Sequence, residues 1–223
     1  MSSDYMPAMT APSPQPEKRM QMNGTMGLIF IKKPDGLYVW LHQRRKKTTT
    51  LVDGKVTKVY GGEHSFAGPG GGAELGETPE HSILREVAEE YLVDPEIIPI
   101  DNRNVLAETD DRMADGSFWR CHFYLLNQRN RKQRPQIAES EKEKATHVEQ
   151  FKWSEIFRAI EAAAPDGETD RIKTTIEGKD GQRDVYFFAS LINLVRERPD
   201  LKDERRILDA YEKAGAPLEP LEE

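Results

Sequence analysis

Residues 71–93 read GGAELGETPEHSILREVAEEYLV, and the rest of the chain is best read outward from them. Preceded by Gly68-Pro69-Gly70, the stretch opens as a glycine loop in which no regular element survives. Thr78-Pro79-Glu80 then predicts a helix start, with a hydroxyl cap, a proline at the first helical position and an acid near the positive end of the dipole. Ile83, Leu84, Val87, Ala88 and Tyr91 recur at helical spacing and predict an inward face, with Asp94-Pro95 as the stop. Glu86, Glu89 and Glu90 are three and four residues apart, so their carboxylates share the other face. Three like charges so close repel and raise one another's pKa. Arg85 offers one compensation, most naturally with Glu77 across the loop, and a divalent metal offers another. Three carboxylates with a loop carbonyl form a hard, all-oxygen set suited to Mg²⁺ or Mn²⁺ rather than zinc.

A Glu-rich helix face is ordinarily just a solvated one, so the fixed spacings decide. The segment resembles the Nudix box: Gly, five residues, Glu, seven residues, Arg-Glu, an aliphatic, any residue, Glu-Glu, any residue, Gly, an aliphatic. Here those positions are Gly71, Glu77, Arg85, Glu86, Val87, Glu89, Glu90 and Val93, with Leu92 in place of the second glycine. A glycine there lets the helix turn tightly with positive φ, which leucine disfavours, so the helix is expected to run on to Asp94-Pro95.

The resemblance implies an α/β/α sandwich, an α+β arrangement of a mixed β-sheet between helices. It implies a metal-dependent hydrolase that splits the pyrophosphate bond of a nucleoside diphosphate linked to another moiety. By that resemblance Glu86, Glu89 and Glu90 are metal ligands or the base, with the Gly70 or Gly71 carbonyl completing the coordination. Glu77 and Arg85 brace the loop against the helix, and Glu139, Glu141 and Glu143 are alternatives for a further acid from another loop. Arg44 and Arg45, at the close of the pre-box hairpin, and His64, just ahead of the glycine loop, are the candidate substrate contacts.

The chain has 223 residues, 37% hydrophobic and 32% charged, enough for one domain with a moderate core. No run approaches the twenty or so apolar residues of a membrane span, and Met1 to Gln21 has no secretory apolar block. A lone cysteine, Cys121, excludes an internal disulfide and a cysteine-based zinc site, and its strand-like setting suits a buried structural thiol. These features point to a reducing cytoplasm. A net charge of -7 argues against bulk nucleic-acid binding and leaves a small anionic substrate open. Two basic clusters, Arg44 to Lys47 and Arg129 to Arg134, read first as solvated loop charges.

Residues 1–24, proline-rich and poor in branched aliphatics, read as a disordered leader, with order beginning near Thr25. Met26 to Ile31 and Leu37 to Leu41 form a hairpin about Lys33-Pro34-Asp35-Gly36. Thr48 to Tyr60 reads as a second hairpin or long loop about Asp53-Gly54, and 46–64 as an insertion near the substrate mouth. Further strands are expected at Val105 to Thr109, Phe118 to Leu126 and Thr146 to Trp153. A helix capped by Ser154 follows, and the resemblance covers 25–164. Residues 165–223 read as a helical extension packed on the same domain, loop-like to 184 with a small hairpin around Gly178 to Gly181, then helices over 185–197 and 202–214. Phe118 and Trp119 read as core aromatics before base-stacking ones. A homodimer is open to such a chain. Two rival functions stay open, a nucleotide-sensing module that keeps the box and an RNA 5′-end pyrophosphohydrolase encouraged by residues 129–134. Turnover of free nucleotides against capped RNA separates them.

Overall fold

The computed structural model of the chain describes residues 21–52, 55–112, 118–130, 133–163, 171–178 and 181–218. In chain order the strands and α-helices are β1 (Gln21–Lys33), β2 (Gly36–Val52), β3 (Lys55–Ala67), α1 (Pro79–Tyr91), β4 (Pro95–Ile97), β5 (Val105–Arg112), β6 (Phe118–Gln128), β7 (Ala145–Lys152), α2 (Trp153–Ala162), β8 (Arg171–Gly178), β9 (Gly181–Phe188), α3 (Ala189–Glu197) and α4 (Glu204–Lys213). The strands form one mixed sheet in the order β4-β6-β1-β2-β3-β9-β8, with β5 on β6 and β7 on β2. β1–β6 and β3–β9 are parallel pairs, and the others are antiparallel.

Period-two alternation sorts side chains to the two faces. Met26, Leu28 and Phe30 of β1, Leu37, Val39 and Leu41 of β2, and Cys121, Phe123 and Leu125 of β6 join α2, α3 and α4 in one core cluster. Ile29, Trp40, Tyr124 and Leu126 join Ile83, Val87 and Tyr91 of α1 in the other. The mixed sheet is therefore clasped between helices, as expected, and Cys121 is buried. Trp153 is fully buried: its ring stands edge-on to Phe30 and Phe157, and its Nε1 donates to the Leu201 carbonyl. From α4, the Tyr211 hydroxyl donates to the Leu126 carbonyl, and Glu204 accepts from the Leu37 N–H at 3.0 Å. Among the described residues no helix is long and apolar enough to cross a membrane.

Several boundaries differ from expectation. The first described strand already includes Gln21, ahead of the expected Thr25: β1 pairs with β6 from Gln21↔Phe118 onward. Backbone pairing with β6 carries 21–24, and residues 1–20 of the expected leader lie outside the described residues. Of the two readings of Thr48 to Tyr60, the hairpin holds: β2 and β3 pair from Lys46↔Gly61 to Val52↔Lys55, with Asp53-Gly54 outside the described residues. The C-terminal segment is not purely helical. β8 and β9 form a hairpin eight residues long on each side, and Val185 and Phe187 alternate into the core before the helix starts at Ala189. Helix α2 starts at Trp153 with no side-chain cap, one residue before the expected Ser154 cap, because Trp153 itself is drawn inward.

Candidate active site

Helix α1 begins as read. Thr78 accepts from the His81 N–H at 3.3 Å, and Pro79 opens the first turn. Its inward residues are Ser82, Ile83, Val87 and Tyr91. Ala88, expected on that face, is exposed. The helix ends at Tyr91 rather than running on, because Leu92 takes the left-handed conformation (φ 54°, ψ 36°) and its N–H returns to the Ala88 carbonyl. Leucine thus performs the capping turn that glycine would make without strain.

The glycine loop is tied down on two sides. Toward β1, Gly27 N–H donates to the Pro69 carbonyl, while the Thr25 N–H and hydroxyl both donate to the Gly71 carbonyl, at 2.8 and 3.3 Å. Toward α1, Glu90 accepts from the Gly70 N–H at 2.8 Å. A Cβ on Gly70 would fall 2.0 Å from the Thr25 carbonyl, so that position admits only glycine, whereas one on Gly71 would fall 2.7 to 2.8 Å from the Glu86 carboxylate and force that side chain aside. Of the two carbonyls offered as alternative metal ligands, Gly71's already accepts from Thr25. Gly70's accepts no hydrogen bond among the described residues.

Arg85 grips Glu77 with a two-point fork, Nε to Oε1 and Nη2 to Oε2, each 3.0 Å. Glu77 Oε2 also accepts from the Glu74 N–H, closing the loop on itself. The remaining Arg85 nitrogen meets Glu86 at 3.0 Å and Glu89 at 3.1 Å, so the guanidinium does not turn wholly away from the acidic face. The Arg85 bonds hold the Glu77 carboxyl down to about 2 and push the guanidinium's own pKa up. Burial raises Glu86 despite Arg85 beside it. Burial pushes Glu90 up to about 8, with Glu86 and Glu141 adding repulsion and the Gly70 N–H and Arg44 opposing it.

The structure brings Glu86, Glu90, Gly70 and Gly71 together and leaves Glu89 with 58% of its side chain exposed, turned to Arg85. Accordingly, among the described residues no three acids or histidines converge on one point as they stand. The donor set nonetheless fits a hard divalent cation. It offers only oxygens, and two of its carboxylates carry a burial and repulsion cost that a cation would relieve. Of the three outer acids, Glu141 faces Glu90 and has a side chain 15% exposed, whereas that of Glu139 is 87% exposed. Glu141 also pairs with Lys144, which lies within electrostatic reach of Glu86 and Glu90. Lys144 was not singled out from the sequence; only its place in the turn before β7 reveals it.

Of the candidate substrate contacts, Arg44 lies within electrostatic reach of Glu90 with its guanidinium 4.4 Å above the Phe188 ring. Arg45 donates its N–H to the Lys144 carbonyl, and its buried Nε has no partner among the described residues. His64 is elsewhere, lining a cavity between β3 and β9. Arg129, of the second basic cluster, pairs with Asp94 at 3.6 Å. Trp119 is half-buried, packs against the core and lies over Gly24 and beside Gly72.

The NUDIX domain matches this chain over residues 25–174, and the chain belongs to that family. Membership makes it a hydrolase of phosphorus-containing anhydrides, at general level a pyrophosphohydrolase. No curated protein matches the chain. Among solved structures, it is similar to a UDP-X diphosphatase at 13% identity, covering 90% of this chain and 68% of that one with a TM-score of 0.45. A MutT/nudix family protein from Enterococcus faecalis is similar at 17% identity, covering 89% and 70% with a TM-score of 0.45. The C. elegans Ap4A hydrolase is similar at 15% identity, covering 62% and 86% with a TM-score of 0.42.

Proposed function

We propose that this protein uses Mg²⁺, with Mn²⁺ able to substitute, to hydrolyse the pyrophosphate bond of a nucleoside diphosphate linked to a further group. The observation that carries this reading is the clasp of the glycine loop between Thr25 on one side and Glu86 and Glu90 on the other, locked by Arg85 and Glu77. Glu86, Glu89 and Glu90 with the Gly70 carbonyl would hold the metal, and Glu141 stands nearest as an added acid. Bound there, the ion neutralises phosphate oxygens and makes a water easier to deprotonate.

The chain's own groups supply the rest. Water attacks one phosphorus, the bridging P–O bond breaks, and the two products leave as phosphate monoesters. The proton of the attacking water passes to a carboxylate of α1, for which Glu86 and Glu89 are the candidates. Arg85 and Glu77 touch no substrate in this scheme; they position the loop. Arg44 and Lys144 bring positive charge toward the acidic face, where an anionic substrate must approach.

The test is a product screen by ³¹P NMR over nucleoside triphosphates, nucleotide sugars, dinucleoside polyphosphates, ADP-ribose and capped RNA, with and without Mg²⁺. Metal-dependent release of two phosphorylated products from a free nucleotide supports the reading. Activity undiminished in excess EDTA, or none on any anhydride, overturns it.

A further inference from the structure

β3 and β9 run parallel but are paired at Phe66↔Phe187 alone. On the N-terminal side of that pair lies a cavity of about 480 Å³, lined by Gln43, Glu63, His64, His147, Val185 and Tyr186 among others. That volume falls within the range of small-molecule sites. Its walls come from three segments distant in sequence: the β2–β3 arm, the start of β7, and the hairpin β8–β9. The Phe66 and His147 rings meet edge to face at 5.8 Å, giving the cavity an aromatic side.

Gln43 decides what the cavity can do. Gln43 is 6% exposed, and what remains accessible of it lines the cavity. An amide presents a donor and an acceptor side by side, which matches the hydrogen-bonding edge of a nucleobase. Around it, His64 and His147 can donate or accept by tautomer, and the aromatic side suits a planar heterocycle.

We propose that this cavity takes the base of the nucleotide substrate and that Gln43 reads its edge, which rests on the hydrolase reading above. Gln43 is then a specificity residue, and the β8–β9 hairpin, beyond the glycine loop and α1, supplies part of the recognition surface.

The experiment uses the full chain and two independent readouts. Saturation-transfer NMR in EDTA measures binding of adenosine, guanosine, uridine and cytidine, which carry no phosphate. Steady-state kinetics then compare nucleoside diphosphate substrates differing only in base. One nucleoside is expected to bind best, and Gln43→Met to weaken it roughly tenfold or more. The same change should raise KM for the matching substrate by a similar factor while kcat stays within roughly threefold. Gln43→Asn, which keeps the amide on a shorter stem, serves if the methionine variant fails to fold, and should shift base preference. Nucleoside binding unaltered by either variant, or no binding of any nucleoside, overturns the proposal. Absence of turnover with intact, Gln43-dependent nucleoside binding overturns the hydrolase reading alone.

Discussion

Arg85 and Glu77 are eight residues apart and joined by two parallel hydrogen bonds of 3.0 Å, the geometry a guanidinium forms with a carboxylate and an ammonium cannot reproduce. The pair spans the loop that carries Gly76 and the start of α1, so its loss should loosen the loop rather than remove a reacting group. Arg85→Lys is therefore expected to lower kcat/KM nearly as far as Arg85→Ala. Glu77→Gln should be non-additive with either. A double-mutant cycle on turnover, with Mg²⁺ affinity followed in parallel, measures this; simple additivity would end the bracing role.

Glu90→Gln and Glu89→Gln should each reduce turnover by roughly a hundredfold or more, since each removes a charge that the reaction's phosphate chemistry depends on. They should differ in stability. Glu90 is half-buried against the Gly70 N–H, whereas Glu89 is exposed and paired with Arg85. In metal-free buffer the thermal midpoint should rise for Glu90→Gln and stay nearly level for Glu89→Gln. Full activity in either variant with unchanged Mg²⁺ affinity would contradict the assignment.

His42 is buried under α1 with Nδ1 3.2 Å from the Tyr91 hydroxyl, and burial, with Arg44 adding to it, pulls its pKa down to about 3. The unfolded chain therefore takes up a proton at about pH 6.5 that the folded chain refuses until about pH 3. Stability conferred by neutral His42 is complete above pH 6.5 and drains as pH falls, at a slope approaching about 1.4 kcal/mol per pH unit. Denaturant titrations between pH 7 and 5 should show stability falling more steeply, or rising less, toward low pH in the wild type than in His42→Gln. The raised pKa of Glu90 acts in the opposite sense over this range but is common to both proteins, so the difference between their slopes isolates His42. Equal slopes would show that His42 titrates normally in the folded protein.

Leu92→Gly should stabilise the protein. A leucine at φ 54° carries strain of about 1–2 kcal/mol, partly offset by the greater unfolded-state freedom of glycine, about 0.5–1 kcal/mol. Leu92 is half exposed, so little burial is forfeited. A gain of up to about 1.5 kcal/mol in unfolding free energy, read as a higher urea midpoint at unchanged m-value and turnover, is the expected result. A lower midpoint would mean that the side chain contributes packing that its exposure conceals.

What the sequence made legible follows the range over which each signal acts. Helix α1 is specified within its own thirteen residues by Thr78, Pro79 and the spacing of Ile83, Val87 and Tyr91. The Arg85–Glu77 contact was legible for the same reason, since one loop and one turn of helix fix it. That the Gly71 carbonyl accepts from Thr25 was not legible, because Thr25 comes from β1, forty-six residues earlier. β9 was absorbed into a helix because Val185 to Val195 is one apolar run, and only pairing with Thr174 and packing beside Phe66 separate its alternating start from its helical end. Gln43 carries no local signal at all; its burial depends on strands brought together from three parts of the chain.

The family match ends at residue 174, partway along β8, whereas the apolar cluster under the sheet continues through Leu191, Leu194, Ile207 and Tyr211. The inherited module and the cooperative folding unit therefore have different borders. A chain cut at 174 would leave Trp153 without its acceptor at Leu201, and the Phe30 N–H and Leu126 carbonyl without the Tyr211 hydroxyl. It would also remove the one pairing, Phe66↔Phe187, that covers β3, leaving the whole strand as an open edge beside the long β2 arm, an invitation to intermolecular strand pairing. Trimming this protein to its homologous portion should yield an aggregate, and any fragment meant to fold must carry α4.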